Sequence, residues 1–219
     1  MITPDLIIQI IIAYLLGSIS GGIVLGKLNG IDITKLGSGN AGSTNAFRIM
    51  GAKFALGVLF IDVIKGFIAV HFVPDLIFFG LLPTEELNYE ITALVCGCGS
   101  VLGHVYPIYN KFKGGKGAGT IVGVLLAIFP VGLIICLTVW GLILISSGYV
   151  GLSTIIAGIF LPVSTAIIYQ GGLNSFFGTF SIIIALFIIF THRSNINRML
   201  IGNENRFDKA MIFKKKTVS

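Results

Sequence analysis

Apolar residues in this chain follow one another in long unbroken runs. They show neither the strict alternation of a half-buried strand nor the narrow stripe of a surface helix. Such runs predict helices in lipid, because a helix satisfies its own backbone there without leaving an edge. The pattern predicts seven of them, at residues 4–26, 52–72, 91–109, 118–129, 131–145, 151–169 and 176–191. A helix of about 20 residues crosses the ~30 Å hydrocarbon layer. The run at 118–129 is therefore short, and Pro130 is also compatible with one long kinked helix. From Gly117 to Thr191 no residue is charged, and Pro130, Ser146-Ser-Gly148 and Gly171-Gly-Leu-Asn-Ser175 divide that stretch into four.

Charge decides between seven spans and six. With seven and the N-terminus outside, all 15 Lys and Arg residues except Lys65 fall on the cytoplasmic side. These are Lys27, Lys35, Arg48, Lys53, Lys111, Lys113, Lys116, Arg193, Arg198, Arg206, Lys209, Lys214, Lys215 and Lys216. The outer segments hold Asp5, Asp75, Glu85, Glu86 and Glu90 and no base, as the positive-inside rule requires. Merging the helices at Pro130 would place every base after Thr191 outside. The fold class is thus an all-α polytopic integral membrane protein with seven transmembrane helices and a cytoplasmic C-terminus. It forms a single domain, 1–219, with a cytoplasmic tail from about 193. At 55% hydrophobic and 11% charged, the chain lies far from soluble domains, whose charged fraction is about a quarter. The first run is longer than a signal-peptide core and lacks a small-residue cleavage pattern, which predicts a retained span. Cys96, Cys98 and Cys136 sit in apolar runs and read as small buried hydrophobes.

Three polar islands interrupt the apolar chain, all on the predicted cytoplasmic side. The first is Leu36-Gly-Ser-Gly-Asn-Ala-Gly-Ser-Thr-Asn-Ala-Phe-Arg48. Its glycines let backbone N–H groups close on an anion, Ser38, Asn40, Ser43, Thr44 and Asn45 can donate, and Arg48 offers a planar charged fork. Read alone, Gly37-Ser-Gly-Asn-Ala-Gly42 spells a dinucleotide fingerprint, but it follows a membrane helix and opens no βαβ unit. The second island is Phe112-Lys-Gly-Gly-Lys-Gly117, ahead of a helix start. Gly114, Gly115 and Gly117 free backbone N–H groups there, and Lys116 adds a full charge. It departs from a Walker A loop at Asn110 and Gly117. The third runs from His192-Arg-Ser-Asn195 to Gly202-Asn-Glu-Asn-Arg206. His192 and Asn195 share a helix face, with His192 a phosphoryl donor or a base, and Glu204 more suited to tying the tail to a neighbouring base. Ser153 opens the sixth span on the same side and extends the donor set. Asp62 and Lys65, three apart within the second span, are expected to pair and brace the helix beneath the first island rather than meet substrate. His104 reads as a packed, hydrogen-bonded histidine near a helix end.

Equally informative is what the cytoplasmic side lacks. Its carboxylates Asp32, Glu204 and Asp208 are scattered without metal-ligand spacing, so no metal and no cofactor are expected. No cysteine or Gly-x-Ser-x-Gly elbow offers a nucleophile there. The substrate must therefore arrive activated. A transporter of a phosphorylated metabolite is the alternative, but it would call for midplane polar sites and matched repeats. A phosphoalcohol transferase would need a carboxylate-bound metal.

Taken together, the three islands resemble the bacterial acyl-phosphate-dependent glycerol-3-phosphate acyltransferases, the PlsY family. The resemblance spans the chain through Gly37 to Asn45 with Arg48, Asp62-Val-Ile-Lys-Gly66, Gly103-His-Val-Tyr-Pro107 with 112–117, His192 to Asn195, and the 202–206 tail. It implies seven transmembrane helices in the bacterial cytoplasmic membrane, with the active site facing the cytoplasm. It further implies transfer of a fatty acyl group from acyl phosphate to glycerol 3-phosphate, giving lysophosphatidate and phosphate. By this resemblance Ser38 and Arg48 are essential, the glycines around Lys116 shape the glycerol 3-phosphate site, His192 and Asn195 support catalysis and Glu204 supports structure. The expected catalytic set is Ser38, Arg48, Lys116, His192 and Asn195. Asn40, Thr44, Asn45, Gly114, Gly115, Gly117 and Ser153 bind substrate, and Asp62, Lys65 and Glu204 are structural. Partners are the lipid bilayer, the two substrates and the enzyme that makes acyl phosphate, with no nucleic acid. An acyl phosphate explains the missing nucleophile: its leaving group is good, and the donor phosphate itself can accept the hydroxyl proton.

Overall fold

A computed structural model describes residues 3–79 and 86–211, so Glu85, Lys214, Lys215 and Lys216 of the charge pattern lie outside the described residues. All regular structure among the described residues is helical. The chain forms two compact units, Met1–Phe129 and Pro130–Ser219.

The first unit holds α1 (Pro4–Gly17), α2 (Gly21–Leu28), α3 (Ser43–His71), α4 (Glu86–Val105) and α5 (Ala118–Ile128). The first predicted span is two helices, bent by 45°. Hydroxyls at Ser18 and Ser20 followed by the Gly21-Gly22 pair weaken the helix at that point. In lipid the backbone groups so exposed need partners, and α3 supplies them. Lys65 Nζ donates to Ile19 O at 2.8 Å, and Gly21 N–H donates to Asp62 Oδ1 at 3.2 Å. The far end of the unit is closed in the same way: Gln9 donates to Pro74 O and Leu76 O, while Asp5 Oδ1 accepts from the amides of Phe78 and Phe79.

α3 departs from the predicted boundary. The expected loop ends at Gly42, and residues 43–50 are already helical before Gly51, at φ 79°, breaks the helix where the predicted span begins. The run of Ser, Thr, Asn and Gly hid this turn of helix, since those residue types favour loops. Small residues then let helices touch backbone to backbone, as membrane helices commonly do. A Cβ at Gly103 would run into Tyr14 O of α1, and one at Gly123 into Val63 O of α3.

The second unit holds α6 (Pro130–Ser147), α7 (Val150–Ile168), α8 (Phe176–Thr191) and α9 (Arg193–Leu200). Phe129 is non-helical (φ −141°, ψ 66°) and Pro130 starts α6, so the chain makes two helices here rather than one kinked helix. Gly158 of α7 receives Ile188 of α8, and Trp140 Nε1 donates to Thr154 Oγ1 at 3.2 Å. Four helices among the described residues are long and apolar enough to span a bilayer, or six if each bent pair is one span; α5 is shorter, at 11 residues. Cys96, Cys98 and Cys136 are unpaired thiols within these helices.

Candidate active site

The first polar loop is organised by Asn45, which is 1% exposed. Its Oδ1 accepts from Ser38 N–H at 2.8 Å, and its Nδ2 donates to Ile33 O, Leu36 O and Asn40 O at 3.1, 3.0 and 2.9 Å. One amide thus folds residues 33–40 into a hoop, and a Cβ at Gly37 would strike its oxygen. Asn40 Oδ1 accepts from Gly42 N–H at 2.8 Å. Thr34 donates to Asp32 from both hydroxyl and amide, and the hydroxyl bond above all holds the Asp32 carboxyl below its usual range.

Gly42 caps the N-terminal turn of α3 without a side-chain bond, so no N-cap side chain takes up the first N–H groups of that helix. Ser38 and Arg48 are exposed, whereas Asn40 and Thr44 are half-buried. Arg48 lies four residues beyond Thr44 on the same helix face.

The second loop rests on α4. Gly115 N–H donates to His104 O at 3.1 Å, and a Cβ at Gly114 would meet the same carbonyl and the ring of Pro107. A Cβ at Gly115 would collide with His104 Nε2. Gly117 has φ 89° and caps α5, with Lys116 half-buried just before it. Lys111 and Phe112 are left-handed at φ 51° and 59°. The expected Asp62–Lys65 pair is present at 3.1 Å, almost fully buried. The sequence reading missed its third member: His104 Nδ1 lies 2.9 Å from Lys65 Nζ and 3.4 Å from Asp62 Oδ1. His104 is packed and hydrogen-bonded near the end of α4, as its sequence position suggests, but its partners lie on α3. Both polar loops are anchored about the α1–α2 break, since a Cβ at Gly22 would strike Ala41 O and Ser18 Oγ accepts from Ile108 N–H.

The third island belongs to the second unit. His192 ends α8 and starts α9; its Nδ1 lies 2.9 Å from Ile188 O. A carbonyl only accepts, so Nδ1 carries a hydrogen. Asn195 Nδ2 donates to Glu204 Oε1 at 3.0 Å, and Arg198 Nε donates to Glu204 Oε2 at 2.7 Å. Glu204 thereby ties the tail to α9. The side chain of Asn195 packs on Gly151, and Ser153, fully buried, gives its hydroxyl hydrogen to Tyr149 O at 2.9 Å. Arg206 Nε donates to Ser147 O at 3.1 Å and Phe207 N–H to Gly148 O at 2.7 Å, folding the tail onto the α6–α7 turn. Among the described residues no group of three or more His, Cys, Asp and Glu side chains could hold a metal.

The family described as glycerol-3-phosphate acyltransferase matches residues 7–202. The chain belongs to that family. Relatives of the same name are similar to it at 40% identity. The one from Chlorobium phaeobacteroides aligns over 92% of this chain and 96% of its own, and that from Staphylococcus carnosus over 91% and 96%. A solved crystal structure of PlsY, an integral membrane glycerol 3-phosphate acyltransferase, in its glycerol 3-phosphate form is similar with a TM-score of 0.76 at 37% identity. It covers 92% of this chain and 95% of its own. The lysophosphatidic acid form of PlsY has a TM-score of 0.75. This acyltransferase therefore has a helical membrane fold, and Asn45 and His104 hold the shape of its first two polar loops by hydrogen bonds.

Proposed function

We propose that this acyltransferase moves a fatty acyl group from acyl phosphate to glycerol 3-phosphate, releasing lysophosphatidate and phosphate. The likeness to PlsY in its glycerol 3-phosphate form, over nine-tenths of both chains, carries this reading. The glycerol hydroxyl attacks the acyl carbonyl, the new ester C–O bond forms, and the anhydride C–O bond breaks. Phosphate leaves with its electron pair, and the donor phosphate itself can take the hydroxyl proton. No protein nucleophile enters, which suits a chain whose thiols are confined to apolar helices.

In the first unit we assign the glycine loop with Lys116 to the acceptor phosphate, at the N-terminus of α5. Ser38, Asn40, Thr44 and Arg48 are the donors of the first loop, and Asn45 contributes by holding that loop in shape. In the second unit His192 and Asn195 support catalysis, Ser153 backs the turn they pack on, and Glu204 holds the tail. The apolar helices supply six passages when each bent pair counts once, and α5 makes a seventh. The distribution of bases supports an N-terminus outside and both polar loops at the cytoplasmic face, and the bacterial relatives support a bacterial cell membrane. The partner that supplies acyl phosphate is an enzyme of that compartment.

Two measurements test these assignments. Gly115→Ala places a methyl group against His104 Nε2 and must distort the loop. We expect the KM for glycerol 3-phosphate to rise about tenfold with kcat nearly unchanged; reduced kcat at constant KM would put the glycine in the chemical step. Activity should also survive a chelator, because the described residues include no group of three or more His, Cys, Asp and Glu side chains able to hold a metal. Loss of turnover in chelator, restored by magnesium, would overturn the metal-free mechanism.

A further inference from the structure

Lys65 lies deep in the first unit with three acceptors around one ammonium group. They are Ile19 O at 2.8 Å, His104 Nδ1 at 2.9 Å and Asp62 Oδ1 at 3.1 Å. An ammonium has three hydrogens to give, so each acceptor takes one. His104 Nδ1 is nearer to Lys65 than to Asp62, which stands at 3.4 Å. A hydrogen on Nδ1 would point at an ammonium 2.9 Å away that cannot accept it, whereas Asp62 Oδ1 is farther off at 3.4 Å, so the closer contact is met by Nδ1 receiving and the ring hydrogen sitting on Nε2. That nitrogen abuts Gly115 in the glycine loop, and the backbone carbonyl of the same His104 accepts from Gly115 N–H. The loop is therefore seated on one residue twice, once through its backbone and once through its ring.

We propose that His104 is a positioning residue for the acceptor loop, held as the Nε2–H tautomer by the Lys65 ammonium, which Asp62 pairs and fixes in place, and that its ring sets the height and shape of residues 114–117. The charged pair has two duties in this arrangement. It satisfies the broken α1–α2 span, through Ile19 O and Gly21 N–H, and it aims the imidazole at the loop. Glycine at 115 follows, since the ring occupies the space a side chain would need. The proposal rests on the assignment of this loop to glycerol 3-phosphate.

Two substitutions at His104 separate the ring's ends. His104→Asn keeps an acceptor for Lys65 near the Nδ1 position but withdraws the ring from Gly115. His104→Gln extends an amide N–H toward the Nε2 position. For purified, monodisperse protein the Asn variant should raise the KM for glycerol 3-phosphate about tenfold, the worth of one lost hydrogen-bond-sized contact, with kcat within about twofold. The Gln variant should lie closer to the parent. Nitrogen NMR of histidine-labelled protein reads the tautomer without substrate: the chain has 3 His, and the ring signals missing from the Asn variant belong to His104. An Nε2–H ring is expected, and an Nδ1–H or charged ring overturns the proposal. So does an unchanged KM in His104→Asn while Gly115→Ala raises it, an outcome that leaves the acceptor-loop assignment standing. If neither variant moves that KM, the acceptor-loop assignment fails, and the positioning role fails with it. Lower thermal stability with unaltered KM would reduce His104 to a packing residue.

Discussion

Replacing Arg48 by lysine should disable the enzyme nearly as much as replacing it by alanine. Arg48 is exposed in the short helical segment 43–50 that opens α3, four residues beyond Thr44 on the same helix face. A guanidinium grips two oxygens of a phosphate at once, whereas lysine keeps the charge and loses the fork. Losing a charge-assisted contact in the transition state costs about 2–4 kcal/mol, or roughly 30- to 1000-fold in rate. Stability should hardly change, since an exposed side chain is being altered. The check is acyl transfer per milligram of monodisperse detergent-extracted protein for both variants. A lysine variant that keeps most of its activity would reduce Arg48 to a positive charge at a membrane surface.

Lys65→Met should cost the protein its fold rather than a catalytic step. The substitution takes the ammonium from the buried Asp62 carboxylate, leaving it Gly21 N–H and the His104 ring, and leaves Ile19 O without its Lys65 donor in the broken span. Removing one member of a buried pair costs about 3–5 kcal/mol, whereas removing both charges is often close to neutral. Thermal unfolding of the Lys65→Met protein in detergent should therefore fall by roughly 10 °C. The double variant Asp62→Asn with Lys65→Met should recover most of the loss, since the amide oxygen introduced by Asp62→Asn can still accept from Gly21 N–H. Equal stability in single and double variants would show that the charges are not coupled.

The apolar helices were legible because lipid imposes one requirement on every residue of a run, and the bases carry the expectation of which ends face the cytoplasm. Pro130 separates α5 from α6 as the charge count required. The Asp62–Lys65 pair was legible because two opposite charges three apart on a membrane helix have few alternatives. What escaped depends on contacts between distant residues. His104 joins that pair from 39 positions beyond Lys65, and no local pattern announces it. The break after Gly17 was encoded in Ser18-Ile-Ser-Gly-Gly22, but a long apolar run masks small residues that only tertiary partners make tolerable. Asn45 looked like one donor among several, yet the folded loop turns its amide inward on three carbonyls. Residues 43–50 looked like loop because Ser, Thr and Asn compete with the helix through their own side chains, and here Gly51 rather than proline ends the turn.

The central claim is that this membrane protein acylates glycerol 3-phosphate from acyl phosphate without any protein-bound acyl intermediate. Its most direct test is to supply purified protein in detergent with palmitoyl phosphate, with and without glycerol 3-phosphate, and to measure phosphate and lysophosphatidate together. The account predicts phosphate release that depends on glycerol 3-phosphate and equals lysophosphatidate formed, mole for mole, with no acylated protein on quenching. Phosphate release at the same rate without glycerol 3-phosphate, or a trapped acyl-enzyme, would contradict it.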